Sequence, residues 1–376
     1  MRTTWTFHTA GRIVFGLDAV DSLGDHLREL STESSRVLVV TDRTLVEAGV
    51  CERVTGVLSA AGIEWSVFDG GCPEPPMDLA MTCAEAAGAE GAGWLLGLGG
   101  GSNMDLAKVT ACVLAHGGHP SDYLGDCVVP GPVFPLACVP TTAGTGSEAQ
   151  SYAVIADATT RVKMACGDPK AAFRVAILDP ELTLSQPAYV TATSGFDAIA
   201  HAVEAAVTTR RTAVSDCFAR EAWRLLDASY ETVLDRPDDV EARAAMHLGA
   251  FYAGLAIEQS MLGAAHACAN PLTARYQMTH GVALAILLPH VVRWNSAAAA
   301  PLYRRLLPPI DDAGGDPGER LATRLRALAS HAGLPDRLRT KGVDPADLPE
   351  LADDAAGQWT GTFNPRPLTA VDALEV

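Results

Sequence analysis

The sequence predicts two domains in series: an α/β half built on a largely parallel sheet, then an all-helical half. Short β-branched runs alternate with amphipathic stretches as far as residue 180, strand signals stop after about residue 185, and the remainder is Ala-rich with helical periodicity. A chain of 376 residues is about twice the usual single-domain length. We therefore expect domains at 1–184 and 185–376, joined near Leu184–Pro187, with the functional site in a cleft between them.

The expected strands are RVLVV at 36–40, EWSVF at 64–68, WLLGLG at 94–99, FPLACVP at 134–140 and RVAILDP at 174–180, with helices over 44–60 and 78–90. In the helical half, breaks are expected at Pro187, Gly263, Pro271, Pro289 and the Pro308–Pro309 pair, because proline lacks an amide hydrogen and crowds the preceding turn. The last twenty-odd residues read as loop-like. No internal repeat or low-complexity segment is visible.

Hydrophobic residues make up 48% of the chain, enough for a substantial core, and the net charge is -17. With no cluster of Lys or Arg, neither a nucleic-acid nor an anionic-membrane partner is expected. The nine cysteines, Cys51, Cys72, Cys83, Cys112, Cys127, Cys138, Cys166, Cys217 and Cys268, show no C-x-x-C pair and read as free thiols in a reducing compartment. The N-terminus lacks the pattern of a signal peptide, and no run reaches ~18 uninterrupted apolar residues, so a cytoplasmic protein is expected.

Two loops carry a cofactor signal. Gly97-Leu98-Gly99-Gly100-Gly101-Ser102-Asn103-Met104-Asp105-Leu106-Ala107-Lys108 puts glycines between a strand and a helix, where backbone can approach a pyrophosphate. Ser102 is expected to cap that helix, forming a capping-box-like pair with Asp105. Pro140-Thr141-Thr142-Ala143-Gly144-Thr145-Gly146-Ser147-Glu148 follows another strand and offers hydroxyls to ribose, phosphate or a carboxamide. Loops after parallel strands converge on one sheet edge, where cofactors sit in open α/β folds. Asp42, at the end of an early strand, can accept from an adenosine ribose and would repel a 2′-phosphate, which favours NAD; neighbouring Arg43 leaves room for NADP.

The metal signal is Asp197 and His201, four apart on one helical face, with His266 and His280 in later apolar, helical surroundings. One carboxylate and three imidazoles suit Fe²⁺ or Zn²⁺ better than Mg²⁺ or Ca²⁺. His8, His26, His116, His119, His247, His290 and His331 lack such company and read as structural, with His290 at a helix end.

Taken in order, RIVFG, VVTDRTL, GLGGGSNMDLAK, PTTAGTGSE, ILDPELTLSQP, SGFDAIAHAVEA and HACANPLTARYQMTHGVALAILLPH resemble the iron-containing, group III, alcohol dehydrogenase family across nearly the whole chain. The resemblance implies a Rossmann-like NAD-binding α/β domain followed by a helical metal-binding domain, the dehydroquinate synthase-like architecture. It implies metal ligands at Asp197, His201, His266 and His280 and ribose contact at Asp42. It places Gly99, Gly100, Gly101 and Ser102 at the pyrophosphate, and Thr141, Thr142, Thr145 and Ser147 on the nicotinamide side. Asp105, Lys163 and Leu182 would border the cofactor. Where many members read H-A-x-A-H, this chain has Asn270, which can orient an alcohol or a carbonyl but cannot titrate. The implied activity is hydride transfer between NAD(H) and a small alcohol, aldehyde or ketone, with His266, His280 and Asn270 at the reacting centre, in a homodimer or larger oligomer. The alternative is a related reductase of an anionic carbonyl, of maleylacetate, phosphonoacetaldehyde or sulfoacetaldehyde type, with Arg275 meeting the anionic tail.

Overall fold

The computed structural model describes residues 4–7, 9, 11–30, 36–126, 128–156, 163–308 and 315–376. His8, Cys127 and Pro309 therefore lie outside the described residues. Contacts divide the chain into an α/β unit, His8–Gln186, and a helical unit, Pro187–Val376 together with the stretch before His8, where Phe7 stacks on Phe218.

In chain order the α/β unit runs β1 (Arg12–Phe15), α1 (Leu23–Leu30), β2 (Val37–Val40), α2 (Arg43–Glu47), α3 (Val50–Ala60), β3 (Trp65–Phe68), α4 (Met77–Ala89), β4 (Trp94–Gly99), α5 (Gly101–His116), β5 (Gly125–Asp126), β6 (Leu136–Pro140), β7 (Tyr152–Ala156), β8 (Lys163–Gly167) and β9 (Val175–Leu178). Six strands form one wholly parallel sheet in the order β1-β9-β6-β4-β2-β3. Its inner strands are buried along their full length, which is why they read as unbroken apolar runs, whereas edge strand β3 alternates. Register pairs Val40 with Gly97 and Gly99 with Pro140. The loops that leave β2, β4 and β6 therefore emerge side by side at one edge.

Three local features differ from the sequence reading. The expected helix over 44–60 is two helices, parted at Gly49, whose φ of 77° is left-handed backbone that favours glycine. RIVF forms edge strand β1, and β5, β8 and β7 form a second, mixed sheet. Strands this short leave too few residues for a period of two to register.

The helical unit comprises α6 (Ala188–Ala205), α7 (Ala213–Asp235), α8 (Val240–Ser260), α9 (Ala264–Tyr276), α10 (His280–Tyr303), α11 (Pro317–His331), α12 (Leu348–Ala356) and α13 (Ala370–Glu375). Thr212, Asp239, Asp316 and Thr369 cap α7, α8, α11 and α13 with their side chains. Pro187 and Gly263 precede α6 and α9 as expected, but Pro271 lies inside α9 and Pro289 inside α10, so His290 is mid-helix. An internal proline costs about 3 kcal/mol. In α10 this is outweighed by burial of Val282, Leu284, Leu288, Val291 and Val292, each contributing roughly 1.5–3 kcal/mol. Helix α10 is long and apolar enough to cross a membrane by length and composition, yet it packs against α6, α9 and α11 and most of it is buried within the unit. The C-terminal residues are not loop-like: a Thr369–Asp372 capping box starts α13.

Small residues let these helices approach closely. A Cβ on Gly281 would lie 2.0 Å from the Thr193 carbonyl oxygen, so the start of α10 rests directly on α6. Gly281→Ala should lower stability by about 1–3 kcal/mol, read by chemical denaturation.

His247 on α8 is fully buried, with no hydrogen-bond partner for either ring nitrogen among the described residues, and burial pulls its pKa down to about 4. Above its ordinary value of 6.5 the ring is neutral in both the folded and the unfolded chain. Between 6.5 and about 4 only the unfolded chain takes up the proton, so stability falls as the pH drops through this window. Denaturation at pH 7.5 and 4.5 should show that His247→Leu removes an acid-induced loss of about 2.5 kcal/mol.

Candidate metal centre and cofactor loops

At the carboxyl edge of the parallel sheet, Asp42 follows β2 and caps α2, accepting from the Leu45 amide at 3.2 Å and from Asn103 Nδ2 at 2.8 Å. Asn103 also donates to the Leu98 carbonyl at 3.1 Å, tying the glycine-rich turn to Asp42. The cap of α5 is Gly100, not Ser102. Ser102 lies within the first turn, where its Oγ accepts from the Glu74 amide, and Asp105 turns away to Ser147 and Val154, so the expected capping box does not form. A glycine cap supplies no side-chain acceptor, which leaves the first amides of α5 for an anion. Gly99, at φ 138°, and Gly101 leave space that side chains would fill: their Cβ atoms would meet Asn103 Nδ2 at 2.3 Å and Thr145 Oγ1 at 2.7 Å.

The loop after β6 lies against this turn, with the Thr141 amide donating to the Gly99 carbonyl at 3.0 Å. Thr142 and Thr145 are partly exposed, whereas Thr141, Ser147 and Asp105 are buried. Leu182 belongs to the apolar core of the α/β unit. The backbone of Lys163 opens β8; its side chain lies outside the described residues.

In the helical unit, Asp197 and His201 sit one turn apart on α6, and His266 comes from the first turn of α9. Donor atoms of these three buried residues all lie within 4.8 Å of one another. His201 Nε2, His266 Nε2 and His280 Nε2 are 3.3, 3.5 and 3.9 Å from Asp197 Oδ1. His280, the first residue of α10, places its ring 5.2 Å from that of His266. All four expected ligands are thus gathered around one carboxylate oxygen. Burial by itself would raise the Asp197 carboxyl, but His201, His266 and His280 hold it well below the usual carboxylate range. Burial opposes a charge on His266 too, yet Glu204 and Asp197 raise that ring to about 9. Asp197 Oδ1 and His266 Nε2 are buried without a hydrogen-bond partner among the described residues. Orphaned donors converging in a negative field are the environment a divalent cation satisfies, so the residues present fit a metal ion.

Residues 10–180 match the family described as iron-containing alcohol dehydrogenase, and residues 191–376 match the C-terminal part of the same family. The chain belongs to the iron-containing alcohol dehydrogenase family. It is similar to the NAD-dependent methanol dehydrogenase of Bacillus methanolicus, 32% identical over 96% of each chain, and to the lactaldehyde reductase of Escherichia coli K12, also 32% identical over 96% of each. The crystal structure of a 1,3-propanediol oxidoreductase superposes with a TM-score of 0.94 at 30% identity, covering 99% of this chain and 98% of that one. The chain is accordingly an oxidoreductase of the iron-containing alcohol dehydrogenase type.

Two residues of this family member escaped the sequence reading. Glu204 Oε2 meets His266 Nδ1 at 2.5 Å, and Oε1 accepts from the Ala265 amide at 2.7 Å, so one buried carboxylate fixes the ring and caps the helix that carries it. Its spacing from Asp197 and His201, seven and three residues, keeps it on the same helical face and was the available signal. Asn103, described above, carries no comparable sequence signature.

Asn270 lies one turn beyond His266 and donates from Nδ2 to Gln358 Oε1 at 3.0 Å, which holds the amide in one orientation. Arg275 is engaged by Asp347 at 3.1 Å and Glu350 at 2.5 Å.

Glu204→Gln should keep the helix cap but remove the carboxylate that accepts from His266 Nδ1, weakening metal affinity on the order of 10- to 100-fold. Competition with a chromogenic chelator reads this directly, and unchanged affinity would show that Glu204 serves only the helix.

Proposed function

We propose that the enzyme transfers a hydride between NAD(H) and a small alcohol, aldehyde or ketone beside one Fe²⁺ or Zn²⁺ ion held by Asp197, His201, His266 and His280. The observation that carries this reading is the buried carboxylate ringed by three imidazoles. A divalent ion there supplies Lewis acidity to the substrate oxygen. The remaining work belongs to side chains and backbone. Asp197 and Glu204 together carry two negative charges, which balance such an ion in a dry interior. Glu204 fixes the His266 tautomer by accepting at Nδ1, leaving Nε2 as the donor atom. Asn270, held by Gln358, orients the substrate oxygen but exchanges no proton, so the proton leaves through water or the cofactor ribose.

On the α/β unit, Asp42 takes the adenosine ribose, the open amides of Gly100–Ser102 take the diphosphate, and Thr142 and Thr145 face the nicotinamide side. Asp42 favours NAD over NADP, in keeping with the NAD dependence of the methanol dehydrogenase relative. The anionic-carbonyl alternative would require Arg275 to leave its surface pairing with Asp347 and Glu350.

We further infer a cytoplasmic homo-oligomer. The described cysteines are all free, as suits a reducing compartment, and edge strand β1 leaves Phe15 exposed with Leu17 just beyond it, as suits a second copy.

The test uses purified protein loaded separately with Fe²⁺ and with Zn²⁺, screened against small primary alcohols and diols by absorbance of the reduced cofactor. Turnover is expected with one or both metals, and His266→Ala should abolish it while NAD binding persists. Full activity after exhaustive chelation, confirmed by elemental analysis, would sink the proposal.

A further inference from the structure

The ammonium of Lys108, on α5, is fully buried. A charge taken out of water demands strong compensation, and the proposed reaction makes no use of this lysine. Nζ donates to the Ser147 carbonyl at 2.8 Å, to Ser147 Oγ at 2.8 Å and to the Tyr152 carbonyl at 2.6 Å, using all three of its hydrogens. It also stands 3.7 Å from Asp105 Oδ1 and 5.1 Å from the centre of the Phe173 ring. Asp105, one turn earlier on α5, accepts from Ser147 Oγ at 2.6 Å and from the Val154 amide at 2.9 Å. Glu148 completes the buried set; burial raises its carboxyl to about 7, and its Oε1 has no hydrogen-bond partner among the described residues. Burial raises the Asp105 carboxyl too, but Asp105 stands 3.7 Å from the ammonium, which opposes that rise, so Asp105 is the carboxylate that balances the lysine.

These bonds join two segments that the sequence places about forty residues apart. Helix α5 begins at the glycine-rich turn, and Ser147 ends the threonine-rich loop. We propose that Lys108, paired with Asp105, is a positioning residue for the cofactor: it pins the end of the 141–147 loop to α5, so that the diphosphate turn and the nicotinamide-side loop keep one fixed spacing. The inference rests on the NAD reading above and assigns Asp105 and Ser147 to the scaffold behind the loops rather than to the cofactor surface. The front of the same junction is equally close, with Thr145 packed where a Gly101 side chain would be and Thr141 bonded to Gly99. Front contacts set how near the loops lie, and the buried ammonium holds the far end in register.

The test compares metal-loaded, full-length enzyme with Lys108→Met, with Lys108→Met/Asp105→Asn, which leaves no unpaired buried charge, and with Ser147→Ala. NADH and ADP-ribose affinities are measured by fluorescence titration and by competition, alongside metal content and kcat/KM. ADP-ribose lacks the nicotinamide, so a displaced 141–147 loop should weaken NADH by roughly tenfold or more while ADP-ribose changes by less than about threefold. Metal content should not change, and Ser147→Ala should give a smaller loss of the same kind. Equal losses for NADH and ADP-ribose, or a folded double variant with unchanged NADH affinity and kcat/KM, would overturn the inference. Failure of the unmodified enzyme to bind NADH would overturn the cofactor reading itself, and this inference with it.

Discussion

Negative charge buried beside imidazoles is the constraint on which the helical unit depends. Asp197 and Glu204 project from one face of α6 into a dry interior, where an uncompensated carboxylate would be strongly destabilising. Everything around them answers that demand. His201 follows Asp197 by one turn, α9 starts where the Ala265 amide and His266 meet Glu204, and α10 starts with His280 turned to Asp197. The small residues that looked like mere helix formers have a geometric purpose here, since Gly281 allows α10 to rest on the Thr193 carbonyl and so brings His280 within reach.

The α/β unit solves a related problem with the opposite sign. Its parallel register brings three loops to one edge, but register alone does not fix the distance between loops that leave different strands. A buried cation does. Lys108 can donate in three directions from one point, which neither a hydroxyl nor an amide side chain can match. Where the helical unit gathers rings around a carboxylate, the α/β unit gathers carbonyls and a carboxylate around an ammonium.

Much of this was legible from residue order. The inner strands announced themselves as apolar runs because both faces are covered, and the four expected ligands stood out because polar groups in apolar helices are costly to keep. The failures have physical causes. Ser102 has the right chemistry for a cap, but the turn is tight enough that Gly100 takes the position. Pro271 and Pro289 break isolated helices, yet here tertiary burial outweighs the lost hydrogen bond. Asp105 bonds to Ser147 and Val154, which are forty and more residues away and invisible to any local pattern. Glu204 was within reach of a helical-face argument extended by one further turn.

The far end of the chain gives the helical centre a timetable. Asn364 accepts from the Ala264 amide across 100 residues, and Gln358 holds Asn270 across 88. During synthesis the α/β unit can close its own contacts once residue 186 has emerged, because they lie within His8–Gln186. Helix α9 must wait for Gln358 and Asn364 before its first amide is capped and its central asparagine is held. The α/β unit therefore closes on contacts local to it, whereas α9 depends on residues 88 and 100 positions further along.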